Sequence, residues 1–394
     1  MRCDFRINVA GQTVEVTGDG AVAGFRPAFC RLEVPGSGHA DALLHVATAA
    51  DPCQAAGPLE VGLNRFADGS FAVLRTAPPM FEVFRPADVS LGRLPQLELV
   101  VSPEAAAAGD VLAQPGHVAI AAWLAAQGSC LMHAAGVAID GRGVMLVGAG
   151  GRGKTTTALA ATLRGFSYLG DDLCIVSPDP SGQGGHLLQG LYATAKLNPD
   201  TREHLGLAGW PVLGTTPQGK AVASLPPAIA FACSVPLVAI VHVNAFAIDG
   251  PRVARLSHGE AVRQLGTASG PMLRTAGPSG KWLRMLAMLA RDVPVLSLSL
   301  DWDLDRVVAS LAAIASAAEP GRADATVGRA SAGKRAEACS RHWTVPRTAP
   351  SGFDVPVAIV AYNRPAKLRR LLETLAQVRP ATLLLIADGP NATR

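Results

Sequence analysis

The sequence predicts an α/β domain of the P-loop type, preceded by a mostly β N-terminal module and followed by a linker and a partial βαβ unit. Three observations carry that expectation. Short runs of alternating apolar and polar residues fill the chain from Phe5 to about Val101. Strand, loop and helix patterns then alternate from Gly116 to Ala315. Within them a glycine-rich loop, Gly148-x-x-x-x-Gly153-Lys154-Thr155, lies between an apolar strand and a helix-forming run.

Bulk properties narrow the function classes. The 394 residues are 49% apolar, enough for two or more domains with cores of their own. Its 35 basic and 31 acidic residues give a formal charge of +4 that is spread along the chain, so nucleic acid is not indicated as a partner. The seven cysteines show no CxxC or Cys/His metal spacing and read as reduced, mostly packed thiols. The N-terminus MRCDFRINVAG lacks the order of a signal peptide, and no stretch reaches about eighteen uninterrupted apolar residues. A cytoplasmic protein without a membrane span is expected, and a homo-oligomer is compatible with everything read so far.

In chain order, residues 1–110 form the mostly β module, through runs such as FRINVAG, QTVEVTG, FAVLRT and LELVVS separated by Gly, Pro and Asp turns. It holds no motif tied to chemistry and reads as a structural or partner-recognition domain. Residues 115–315 form the P-loop domain, opening with the helix HVAIAAWLAAQG. A strand pair turned at Asp140-Gly141 follows and leads into the loop. One helix later, GFSYLGDDLCIV reads as a buried strand of a parallel sheet interrupted by two acids and continued by Leu173, Ile175 and Val176. Residues 316–353, rich in Ala, Gly, Ser, Arg and Pro, read as a flexible linker. Residues 354–394 offer strand, amphipathic helix and strand; one βαβ unit cannot cover both faces of its own sheet, so it reads as the opening of a domain that continues elsewhere.

The chemistry concentrates around the loop. The backbone of Gly148, Ala149, Gly150, Gly151, Arg152 and Gly153 can turn its N–H groups onto phosphate oxygens, helped by the positive end of the following helix. Lys154 would reach the β- and γ-phosphates, the Thr155 hydroxyl would enter an Mg²⁺ shell, and Thr156 continues the phosphate-binding run. Asp171 and Asp172 would stand at a strand end beside the loop, where a carboxylate can hold Mg²⁺ or take a proton from an attacking hydroxyl. His133 lies among apolar residues, where a histidine taken alone is more often a satisfied core residue than a catalytic one.

Taken together, HAAGVAIDGRGVMLVGAGGRGKTTTAL and LGDD resemble the catalytic domain of HPr kinase/phosphorylase, which carries a His strand, a hairpin, a P-loop and an Asp-Asp strand in this order. The likeness is specific over about Ser129 to Val176 and looser to about Ala315. It implies an HPr kinase/PEP carboxykinase-like fold using ATP and Mg²⁺. It also implies Asp171 as general base, Asp172 as metal ligand or partner of a charge, and His133 near the γ-phosphate. Three features depart from the family. Lys154-Thr155-Thr156 replaces Lys-Ser-Glu; GLYATAKLNP, with Lys196, stands where a glutamate-containing glycine-rich signature is expected; and the N-terminal module differs from the family's regulatory domain. HPr is therefore a poor candidate substrate. Lys196 reads equally as a phosphate contact or a solvated lysine.

The segment VAIVAYNRPAKLRRLLETLAQVRPATLLLIADGP resembles the start of a GT-A glycosyltransferase. That likeness implies nucleotide-sugar contacts from Tyr362, Asn363, Arg364 and Asp388, and no activity from the fragment alone, because the family's Asp-x-Asp motif is missing. The leading expectation is a kinase that moves the γ-phosphoryl group of ATP to a hydroxyl-bearing acceptor, be it serine, peptide or sugar. The alternatives are a non-catalytic nucleotide-gated module attached to a glycosyltransferase, and a glycosyltransferase to which the kinase-like region is accessory.

Overall fold

A computed structural model describes residues 4–36, 38–181, 185–246, 250–269 and 281–318, with the strands Val357–Ala361 and Leu383–Ala387. The chain divides into two compact units, Met1–Ala325 and Thr326–Arg394.

The first unit begins with a seven-stranded mixed sheet. Its strands are β1 (Phe5–Val9), β2 (Gln12–Gly18), β3 (Ala42–Thr48), β4 (Gly62–Arg65), β5 (Phe71–Thr76), β6 (Pro79–Arg85) and β7 (Gln96–Val101), in the order β1-β2-β3-β7-β6-β5-β4. Alternation is strict where one face is covered: Phe5, Ile7 and Val9 of β1 are buried and the residues between them are not. The sequence reading of a mostly β module omits α1 (Ala21–Phe29), whose Val22, Phe25 and Phe29 are buried and which crosses between the parallel strands β2 and β3. Pro27 masks this helix in the sequence: it lies inside the helix, where it has no N–H to donate to the preceding turn. Three short helices follow in this part of the chain: α2 (Pro52–Ala55), α3 (Pro103–Ala107) and α4 (Gly109–Ala113).

Helix α5 (His117–Ala126) joins this sheet to the next. Its amide groups at Val118 and Ala119 donate to Glu82 Oε2 of β6 at 2.7 and 2.9 Å, so a buried carboxylate sits on the positive end of the helix. Beyond it lies a nine-stranded sheet. Its main path runs through β8 (Cys130–Met132), β9 (Ala135–Ile139), β10 (Arg142–Val147), β11 (Ser167–Gly170), β12 (Cys174–Pro178), β13 (His186–Gly190) and β17 (Ser234–Phe246), in the order β11-β9-β10-β17-β13-β12-β8. Strands β18 (Val253–Arg255) and β19 (Val295–Leu300) complete it beside β17. A separate three-stranded sheet contains β14 (Thr194–Leu197), β15 (Val212–Thr215) and β16 (Ala221–Ser224).

Only β10, β17 and β19 run parallel as neighbours, so the sheet is mixed rather than parallel throughout. The reason is local. Asp140 and Gly141 both have positive φ, 50° and 72°, which folds β9 back on β10 as a tight hairpin. Strand β10 is covered on both sides: Val144 and Leu146 pack with α6 (Lys154–Thr162) and α10 (Leu304–Ala317), while Met145 and Val147 pack with α8 (His258–Ala268) and α9 (Lys281–Asp292). Helix α7 (Pro199–His204) follows β14. No described helix is long and apolar enough to cross a membrane.

The two larger sheets of the first unit share one core. Phe5, Phe29 and Trp123 cluster with Leu131, Ile175 and Tyr192, and the Phe29 and Tyr192 ring centroids are 5.4 Å apart. The Tyr192 hydroxyl donates to Pro115 O at 2.9 Å and Ala193 N to Ala28 O at 2.7 Å. In the second unit, β20 (Val357–Ala361) pairs parallel with β21 (Leu383–Ala387), Val357 opposite Leu383.

Because Phe29 belongs to this shared core, Phe29→Ala is expected to cost about 3–5 kcal/mol and to lower the stability of both sheets together. Chemical denaturation followed by far-UV circular dichroism and by tryptophan fluorescence checks this. A shift in one probe alone would show that the sheets unfold separately.

Candidate functional site

The P-loop leaves β10 at Val147 and enters α6 at Lys154. Gly148 lies flush against β17, where an added Cβ would come 3.0 Å from Val243 O. Gly153 takes a left-handed conformation (φ 89°) with Leu300 packed against it, an added Cβ coming 2.6 Å from Leu300 Cδ1. These positions accept glycine because the loop is wedged between strands. No side chain caps the first turn of α6, so its N–H groups remain available to an anion.

Lys154 is 5% exposed and donates to Gly148 O at 2.9 Å and Ala149 O at 3.3 Å, which holds its ammonium across the loop. Burial lowers its pKa, a fall that the charges of Asp172 and Asp171 partly offset. Thr155 Oγ1 donates to Asp171 Oδ1 at 2.7 Å, and Thr156 Oγ1 is paired with Thr201 Oγ1 of α7 at 2.9 Å. Thr156 therefore fastens α7 to the loop helix.

The acid pair departs from the sequence expectation. Leu173, Ile175 and Val176 do not continue the strand; β11 ends at Gly170, and β12 begins at Cys174 in another part of the sheet. The break falls at Asp172, whose φ is +64°, a left-handed conformation that Asp tolerates better than most residues. Strand β11 is antiparallel to β9, and β9 to β10, so β11 runs in the same sense as β10 and ends on the same edge as the P-loop. The acids reach the loop by two reversals, not by parallel pairing.

Their surroundings differ. Asp171 is 3% exposed, and both its oxygens are engaged, Oδ1 by Thr155 and Oδ2 by the Lys196 N–H at 3.0 Å. Burial, with the charge of Asp172, raises its pKa to about 6 against the pull of those hydrogen bonds. The Asp172 side chain is 25% exposed; Oδ1 lies 3.6 Å from His133 Nε2 and Oδ2 lies 3.2 Å from Lys196 Nζ. Burial pushes Asp172 up, but the His133 contact and the Lys196 charge outweigh it and hold Asp172 well below the usual carboxylate range. Backbone pairing sets this meeting: Ala134 N donates to Asp172 O at 3.1 Å, which places His133, between β8 and β9, beside the acid.

A cleft of about 700 Å³ opens here, bordered by His133, Lys154, Thr155, Asp172 and Lys196. Asp171 does not border it. Further along, the cleft is lined by α7 residues, by Lys220 and by the turn from Leu300 to Leu304. The structure thus brings His133, the P-loop and both aspartates together. Tyr362, Asn363, Arg364 and Asp388 lie outside the described residues. The linker assigned to residues 316–353 does as well, except that α10 runs on to Ala317.

Several site residues escaped the sequence reading or were left open by it. Lys196 is largely withdrawn from solvent on the cleft wall, its ammonium shared between Asp172 and Gln114 Oε1, the latter at 2.8 Å. Gln114, Thr201 and Trp302 come from segments with no motif. His242 on β17 sits beside Gly148, and burial, with Arg263, Arg152 and Lys154 nearby, lowers its pKa. Among the described residues no three His, Cys, Asp or Glu side chains converge on a metal position. The oxygen donors that border the cleft, the Thr155 hydroxyl and the Asp172 carboxylate, suit Mg²⁺, which takes few protein ligands and completes its shell from phosphates and water.

No protein-family profile matches the chain. No curated protein matches it either. Among solved structures, the Hpr(Ser) kinase/phosphatase from Coxiella burnetii aligns over 47% of this chain and 96% of its own, at 11% identity and a TM-score of 0.24.

The aspartates imply distinct pH signatures. Asp171 has a folded pKa raised from 3.8 to about 6, so the unfolded chain loses that proton first and stability falls as pH climbs from about 4 to about 6. Asp172, shifted downward, contributes stability that is lost only as pH drops below the ordinary carboxylate value. In Asp171→Asn the decline between pH 4 and 6 is expected to shrink, as measured by denaturant midpoints across that range. An unchanged slope would show that Asp171 titrates normally.

Proposed function

We propose that this chain is an ATP-dependent phosphotransferase that moves the γ-phosphoryl group to a hydroxyl acceptor. The observation that carries the reading is Asp172: a carboxylate on the cleft wall next to the P-loop, ionised at working pH and aligned by His133 and Lys196. A loop that served only as a packing turn does not require such a group.

On this reading the roles of the two acids are exchanged relative to the resemblance. Asp171 is buried with both oxygens occupied, and it acts by holding the Thr155 hydroxyl, leaving that oxygen's lone pairs directed away from the carboxylate. Asp172 receives the proton of the acceptor hydroxyl as the new O–P bond forms in line with the bond to the leaving ADP. Lys154 and the amides of the loop neutralise charge on the transferring group. Thr155, backed by Asp171, would hold Mg²⁺, which when bound supplies charge neutralisation at the β- and γ-phosphates. His133 and Lys196 fix the orientation of Asp172 and keep it ionised.

Incubation with γ-labelled ATP and candidate serine, peptide and sugar acceptors tests the proposal. Lys154→Ala is expected to weaken nucleotide binding strongly. Asp172→Asn is expected to lower transfer by about 10²–10⁴-fold with little change in ATP affinity. Asp171→Asn is expected instead to raise the Mg²⁺ concentration needed, since its amide would donate to Thr155 Oγ1 and occupy a lone pair. Wild-type transfer by Asp172→Asn would overturn the base assignment. ATP binding without transfer to any acceptor would leave a nucleotide-gated module as the better reading.

A further inference from the structure

Two residues bordering the cleft have no part in the transfer chemistry: Thr157 and Trp302. Trp302 is 76% exposed, although the chain's Trp123 is almost fully buried. It stands in the turn between β19 and α10. Strands β10, β17 and β19 are parallel neighbours, so their carboxyl ends share one edge and the Trp302 turn lies two strands, ~10 Å, from the P-loop strand. Leu300, two residues before the tryptophan, packs on Gly153 and makes the surface continuous from the loop to the turn.

The acids flanking the indole are engaged elsewhere. Asp301 accepts from Asp303 N through Oδ1 and from Arg306 through Oδ2, and Asp303 caps α10 through the Asp305 and Arg306 amides. These bonds stiffen the turn, and the exposed indole is its largest side chain at the cleft. Thr157 supplies an independent observation. It is 1% exposed, lines the same cleft, and its hydroxyl has no hydrogen-bond partner among the described residues. A buried hydroxyl without a partner is costly, and a ligand oxygen would relieve that cost.

We infer that Trp302 is the stacking platform for the base of the nucleotide whose phosphates the P-loop takes, with the Thr157 hydroxyl donating to the ribose-phosphate portion between them. The inference rests on the nucleotide reading proposed above. An exposed indole reads the π face of a base and not its hydrogen-bonding edge, so discrimination between purines is weak. ATP and GTP are expected to bind within a few-fold of each other.

Calorimetric titration of the full chain with ATP, GTP and inorganic triphosphate in Mg²⁺ tests this, using wild type, Trp302→Ala and Trp302→Phe. Trp302→Ala is expected to raise the ATP Kd about 5- to 150-fold, Trp302→Phe to retain most of the affinity, and both to leave triphosphate binding unchanged. An unchanged ATP Kd in Trp302→Ala overturns the stacking role. Equal weakening of ATP and triphosphate also overturns it, because the tryptophan would then be shaping the loop. If the wild type binds neither ligand, the nucleotide reading falls and the stacking falls with it.

Discussion

Asp171 holds three parts of the chain with one carboxylate. It directly follows β11, accepts a hydrogen bond from the Thr155 hydroxyl of the loop helix and accepts another from the Lys196 amide of β14. Removing a carboxylate this deeply from water disfavours its charged form, as the rise of its pKa to about 6 records. The hydrogen bonds that oppose this rise are the same ones that set the Thr155 oxygen in place and draw the three-stranded sheet against the loop. Geometry at the cleft depends on that bridge more than on any apolar contact near it.

The second aspartate has the opposite arrangement one residue away. The left-handed backbone of Asp172 turns its side chain out of the β11 direction, and the Ala134 amide holds that backbone in place. Two neighbouring carboxylates disfavour each other's charge, and the conflict is resolved by environment: one is buried among neutral donors and rises, the other meets Lys196 and His133 and falls. Gln114, from the segment leading into α5, takes another donor of the Lys196 ammonium. The N-terminal part of the chain therefore reaches the site through a hydrogen bond as well as through the core it shares at Phe29 and Tyr192.

Much of this was legible in the sequence, and the legible parts are contiguous. The Gly148–Thr155 spacing, the Asp140-Gly141 turn and the apolar run of β10 each report a backbone requirement met within a few residues. Helix α1 was not legible, because Pro27 reads as a breaker and the local pattern does not show that burial of Val22, Phe25 and Phe29 outweighs it. The strand continuing past Asp172 was misread for a related reason: Leu173, Ile175 and Val176 are apolar because β12 is buried, and burial looks the same whether or not a turn precedes it.

The sequence by itself determined where phosphate chemistry is expected, since a strand, a glycine-rich loop, Lys154 and Thr155 follow one another along the chain and carry their geometry with them. Only the tertiary structure decided how the two aspartates differ. Their partners His133 and Lys196 lie in separate strand-loop segments, and a pKa is set by whatever folding brings within a few ångströms, not by the neighbours in sequence. The same holds for Trp302, whose place beside the P-loop follows from β19 lying two strands from β10, an order that no local pattern encodes.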